Sequence, residues 1–208
     1  MAVTGFLLLA FLILHMIGNL KIFFGQVSFD HYADWLRTLG SPLLPHTWYL
    51  WIQRGGLVVI VGAHILCAVT LTLRDRRARP VKYSYRSTVR GAYSAATMRW
   101  SGLIILLFVV YHLLDLSALK LNPNGVEGDV YANTVADFKL WYVTLAYTVA
   151  MVALGLHIDH GFWSAAHTLG VNRPRTERVV KFVAHVLALG LTAGFLVVPI
   201  AVLSGVVR

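Results

Sequence analysis

Five apolar stretches constrain this chain more than any other feature. Each reaches the ~20 residues that a helix needs to cross a bilayer. They fall near residues 2–24, 48–73, 98–121, 138–166 and 179–207, and leave little chain for a water-soluble domain. Composition agrees: 58% of the residues are hydrophobic and 13% are charged, against about 25% charged in soluble domains. The expected fold is therefore all-α, one integral membrane domain over residues 1–208, built as a bundle of five transmembrane helices. The first stretch reads as a retained span. MAVTGF lacks a positive start, no A-x-A-like site follows it, and the stretch carries His15 and Asn19.

A net charge of +9 invites a nucleic-acid reading until the charges are placed. Eight of the basic residues lie between Arg74 and Arg99, and Arg173, Arg175, Arg178 and Lys181 follow the fourth span. The loops around 25–47 and 122–137 hold only Arg37. The positive-inside rule then puts the 2–3 and 4–5 loops and the N-terminus in the cytoplasm, and the C-terminus outside. Topology accounts for the charge, and no nucleic acid is expected. An acidic soluble partner or anionic lipid suits the same basic face. Cys67 is the single cysteine, so neither an internal disulfide nor a cysteine-ligated Fe–S cluster can form within the chain. In the first loop, DHYADWLRTLG predicts a short surface helix, and NPNG opens the 122–137 loop with a turn.

Four of the nine histidines stand well inside different spans: His15, His64, His112 and His157. Ionisable side chains at such depth are costly and mark function by default. At 1.5 Å rise per residue, His64 and His157 lie roughly 15 Å from the basic edge, and His15 and His112 about 20 Å. Depth therefore groups His64 with His157 and His15 with His112. Two stacked histidine pairs suggest two bis-histidine b-type haems, because bis-imidazole ligation suits electron transfer. Gly62 and Ala63 beside His64, and Gly155 near His157, leave room for a flat macrocycle, although small residues are common at membrane helix interfaces. Packing or proton-relay histidines and a non-haem metal stay open as alternatives. Zinc would want four ligands at one level, often including Cys.

The motifs HMIGNLKIFFG (15–25), TMRWSG (97–102), YHLLDL (111–116) and LHIDHGFWSAAHTLG (156–170) resemble the cytochrome b membrane-anchor subunit of succinate:quinone oxidoreductases. The version resembled is the single-chain, five-helix, dihaem type of succinate dehydrogenases and fumarate reductases. The likeness covers four spans in order, and the fifth adds little. It implies that His15 and His112 ligate a distal haem, and that His64 and His157 ligate a proximal one, with His157 favoured over His160. It also implies a bacterial-type cytoplasmic membrane, with flavoprotein and iron–sulfur subunits docked on the cytoplasmic side. Electrons from succinate then pass through FAD and Fe–S clusters in those partners, and through the haems, to quinone, which the dihaem type suggests is menaquinone. The chain itself is expected to oxidise no succinate, and a higher oligomer of the whole complex is left open.

Around that frame, Arg54 and Asp115 are expected near one outer level, as a buried pair, as support for distal propionates and quinone, or snorkelling to the interface. Arg99 is placed for a propionate or for docking, with the Arg74–Arg99 loop as docking face. Asn19, four residues after His15, reads as support for that ligand or as an interface amide. Quinone has two candidate locations. One uses His31, Asp34 and Trp35 of the outer loop, the other Asp159, His160 or His167 near the cytoplasmic end. His185 begins span 5 without an assigned role. Rival functions are a cytochrome b anchor of a hydrogenase or another respiratory dehydrogenase, and a haem-free transporter with histidine relays.

Overall fold

The computed structural model describes residues 1–78, 90–171 and 173–208, with side chains from residue 97 in the second segment. Among them lie seven α-helices: α1 (Ala2–Leu20), α2 (Gln26–Thr38), α3 (Trp48–Arg77), α4 (Arg90–His112), α5 (Val130–Phe138), α6 (Trp141–Thr168) and α7 (Pro174–Leu203). A 3-10 turn, Lys21–Phe24, extends α1, and a π-turn, Leu113–Ser117, ends α4. Five helices are long and apolar enough to cross a membrane: α1 with its 3-10 turn, α3, α4 with its π-turn from Thr97, α6 and α7. Directions alternate along the chain. Thr4 at the start of α1 meets His64 late in α3, and Ser101 early in α4 meets His157 late in α6. The end holding Met1, Arg74 and Arg173 is called the basic end below.

Local chemistry sets the boundaries. Gly25, at φ 87°, turns the chain from the 3-10 segment into α2. Gly170, at φ 93°, closes α6 in a Schellman motif, with the Val171 amide on the Ala166 carbonyl at 3.1 Å and the Gly170 amide on His167 at 3.0 Å. Pro174 occupies the first turn of α7, where its missing N–H costs nothing. The third span differs from the sequence expectation, which ran to residue 121. It ends at Ser117, and Leu119 then takes a left-handed φ of 51°. Helix α5 was not expected in the second outer loop. Asp129 caps it by accepting from the Ala132 amide at 2.8 Å.

Packing is uneven. Helices α6 and α7 form the densest pair, with α1 and α4 against α6. One core joins Met151, Leu154 and Ile158 to Leu191, and another gathers Val135, Phe138, Val143 and Tyr147 with Val198 and Val202 beneath α5. Helix α3 stands apart: none of its residues is buried, and its main neighbours are α1 and α2. Between α3 and the rest of the bundle runs a cavity of about 3560 Å³, several times the roughly 300–1,000 Å³ of an ordinary ligand pocket.

Glycines set how closely the dense helices approach. A Cβ on Gly155 would fall on Thr192 Oγ1, and one on Gly194 would fall on Met16 Sδ. Threonine is stiff at χ1, whereas methionine adapts. Gly155→Ala is therefore expected to cost about 1–3 kcal/mol by overpacking, and Gly194→Ala distinctly less. Thermal unfolding of the two variants in detergent measures the difference, and equal midpoints would reject this account of the α6–α7 contact.

Candidate metal-ligand site in the bundle cavity

His15, His64, His112 and His157 all line the cavity. His15 faces His112 with ring centres 6.0 Å apart, and His64 faces His157 at 6.4 Å. These are the pairs that depth along the spans groups together. Among the described residues, no three His, Cys, Asp or Glu side chains gather as a metal site. Four-ligand zinc binding therefore finds no assembled site there.

Hydrogen bonds hold three of these rings, and one assignment of the hydroxyl hydrogens accounts for all three. The Thr4 hydroxyl donates to the Met1 carbonyl at 2.9 Å and lies 3.0 Å from His64 Nδ1. With its single hydrogen on the Met1 carbonyl, its oxygen accepts from a His64 ring that carries hydrogen on Nδ1. Ser101 repeats the arrangement, donating to the Met98 carbonyl at 3.1 Å and lying 3.1 Å from His157 Nδ1. At the other level the Tyr147 hydroxyl donates to Asp115 Oδ2 at 3.4 Å and sits 3.1 Å from His112 Nδ1. With the Tyr147 hydrogen on Asp115, His112 is likewise an Nδ1–H tautomer. A neutral imidazole with hydrogen on Nδ1 keeps a bare lone pair on Nε2. His15 is held by ring packing, stacked on Phe11 at 5.3 Å and tilted against Phe195 at 5.9 Å.

These pairs fit a metal held between two imidazoles. Metal–nitrogen bonds of about 2.0–2.1 Å, with about 1.1 Å from nitrogen to ring centre, separate the centres by about 6.3 Å. A second-nitrogen hydrogen bond is the usual support for a ligating histidine. Glycine also stands beside each ring of the basic-end pair. Gly5 follows Thr4 and would place a Cβ 3.7 Å from His64 Cε1. Gly102 follows Ser101 and would place one 3.6 Å from His157 Cε1. Larger side chains there would enter the cavity. Thr-Gly on α1 and Ser-Gly on α4 thus hold His64 and His157 alike. Of the glycines that the sequence offered as room for a macrocycle, Gly62 lines the cavity with nothing within 4 Å of a Cβ placed there, whereas Gly155 faces α7.

The remaining candidates divide by helix face. On α2, Phe29, Tyr32, Trp35 and Leu36 line the cavity, with Tyr32 stacked on Trp35 at 5.8 Å. His31 and Asp34 lie on the other face, exposed, and Asp34 accepts from Arg37 at 2.5 Å. Of the outer-loop trio, only Trp35 reaches the cavity. Arg54 and Asp115 do not pair. The Arg54 guanidinium lies 5.1 Å over the Trp51 ring, and Asp115 is buried at 1% exposure against Tyr147. Their helices explain this, since α3 packs on α1 and α2 and not on the end of α4. Arg54 and Asn19 nevertheless line the cavity.

At the basic end, Asp159, His160 and Arg99 also line the cavity, and Arg99 is exposed. Asp159 pairs with His185, which gives that histidine a partner that sequence did not supply. His160 and His167 flank Trp163, at 6.0 and 4.5 Å between ring centres. Of the basic loop, Arg74, Arg76, Arg77 and Arg99 are exposed, while Arg79, Lys82 and Arg86 and the Arg90 side chain lie outside the described residues. No protein-family model, curated protein or solved structure matches the chain.

Histidine tautomers can be measured without any ligand. ¹⁵N-histidine NMR of the metal-free protein is expected to show His64, His112 and His157 as Nδ1–H forms. Tyr147→Phe removes the acceptor for His112 alone and is expected to release that tautomer, leaving the other two unchanged. Nε2–H forms in the wild type would refute the hydrogen-bond reading.

Proposed function

We propose that this chain is the dihaem cytochrome b membrane anchor of a succinate:quinone oxidoreductase, acting as succinate dehydrogenase or fumarate reductase. One observation carries the haem reading: two facing histidine pairs at 6.0 and 6.4 Å, three of whose rings are oriented with Nε2 free. The resemblance of the four motifs carries the assignment to this oxidoreductase. A b-type haem bound in each pair supplies reversible one-electron transfer. His64 and His157 hold one haem, and His15 and His112 the other. Thr4, Ser101 and Tyr147 orient the ligands. Arg54 near one end of the cavity and Arg99 near the other are placed to meet propionates.

The basic end would face the flavoprotein and iron–sulfur subunits, which hold FAD and the Fe–S clusters. Quinone reduction needs protons as well as electrons. At the basic end, Asp159, His160 and His185 are titratable groups lining the cavity. At the opposite end, His31 and Asp34 stand away from it. The Asp159–His185 pair supports a quinone site at the basic end.

Visible spectra of the purified, dithionite-reduced protein are expected to show low-spin b-type bands, and their absence would overturn the haem reading. His64→Ala and His15→Ala are each expected to lose mainly one of the two haems. Loss of the same spectral component from both would break the pairing. Ser101→Ala and Thr4→Val keep the ligands and are expected to weaken haem retention about 10–100-fold. Purification of the anchor with a covalent-flavin, succinate-oxidising subunit tests the choice of complex.

A further inference from the structure

Beyond His112 and Tyr147 lies a feature that electron transfer alone leaves unexplained. Asp115 in the π-turn and Asp137 in α5 are buried at 1% and 0% exposure. Asp115 Oδ1 and both Asp137 oxygens have no hydrogen-bond donor among the described residues. The two carboxyl groups interact directly, close enough to hydrogen-bond when one is protonated.

Two such carboxylates resist ionising together, because burial and mutual repulsion each oppose the second charge. Removing an ion from water costs several kcal/mol, and the ion pairs of the described residues engage Asp34, Glu177 and Asp159, not these two carboxylates. The titratable groups facing them are Tyr111 on α4 and Tyr147 on α6, with Tyr142 on α6 further off. Helix α7 presents Val198, Ala201 and Val202 to the same core, and Asp30 of α2 is engaged by the Tyr131 amide at 3.0 Å. One shared proton resolves the conflict: the acid O–H of one group donates to the carboxylate of the other.

We propose that Asp115 and Asp137 form a proton-holding site, sharing one proton that is bound and released in step with the charge at the His15–His112 pair. The path is short and directional. His112 Nδ1–H donates to the Tyr147 oxygen, and the Tyr147 hydroxyl donates to Asp115, which meets Asp137. Adding one electron at the histidine pair lowers the positive charge there and raises the proton affinity of the carboxyl pair. One proton then enters the pair from water as one electron arrives from the donor, and leaves when that electron leaves. Burial, then the hydrogen bond and charge of Asp115, hold the Asp137 carboxyl well above the usual carboxylate range, which brings this exchange toward neutral pH.

The redox half rests on the haem reading above, and the shared proton does not. Infrared spectra of the full-length protein in detergent at neutral pH are expected to show a carboxylic-acid C=O stretch. It should shift in D₂O and disappear in Asp137→Asn. Should that variant fail to fold, Asp115→Asn makes the same test. A band untouched by either substitution, or one that appears only after calcium is chelated, would overturn the proposal, the second outcome marking a cation site. In the haem-loaded protein, one midpoint potential is expected to fall with rising pH by up to about 59 mV per unit, the one-electron equivalent of a tenfold change. Asp137→Asn should flatten that slope, and an unchanged slope would reject the linkage. A protein with the infrared band but no haem would reject the haem reading alone.

Discussion

The arrangement depends on hydroxyl groups whose only hydrogen is already committed. Thr4 and Ser101 give theirs to backbone carbonyls within their own helices, and Tyr147 gives its to Asp115. Each oxygen can then only accept from the histidine beside it, and each ring is left with a lone pair on Nε2. In an apolar cavity this matters doubly, because a wrongly oriented imidazole would leave one polar nitrogen without a partner at a cost of about 1–3 kcal/mol. The helices therefore supply oriented imidazoles before any ligand arrives.

Two of these devices are one design used twice. A hydroxyl residue followed by glycine stands near the start of α1 and near the start of α4, and each serves a histidine late in an antiparallel helix. The hydroxyl fixes the tautomer, and the glycine keeps side-chain bulk away from the ring edge. The other level is asymmetric. His112 has a tyrosine backed by a carboxylate, whereas His15 has aromatic packing. The two pairs thus meet different electrostatic surroundings.

Most of the architecture was legible because hydrophobic length and helical rise are local properties. Five spans, their alternation and the grouping of histidines by depth all follow from counting residues. What escaped depends on helix rotation or on long-range contact. His31 and Trp35 sit four residues apart on α2, yet only Trp35 reaches the cavity, because Phe29, Tyr32 and Leu36 fix which face turns inward. Arg54 and Asp115 share a depth, but depth does not say that α3 and the end of α4 stand on different sides of the bundle. The partners of the ring nitrogens lie 35 to 60 residues away in sequence, so no spacing rule reveals them. Asp137 went unnoticed because α5 is short and sits in a loop, and its burial is visible only once α6 and α7 close over it.

The uneven packing bears on how the bundle is held together. Helices α6 and α7 bury apolar surface against each other and against α1 and α4, so that side is cohesive without further material. Helix α3 buries no residue and faces the cavity with His64. What fixes His64 is the bond to Thr4, and what fixes α3 is its contact with α1 and α2. A large apolar ligand held by both His64 and His157 would join α3 to α6 across the cavity. Its binding free energy would then become stability of the folded bundle, since anything bound only by the native state stabilises it. Such a ligand would complete the core that the five helices leave open.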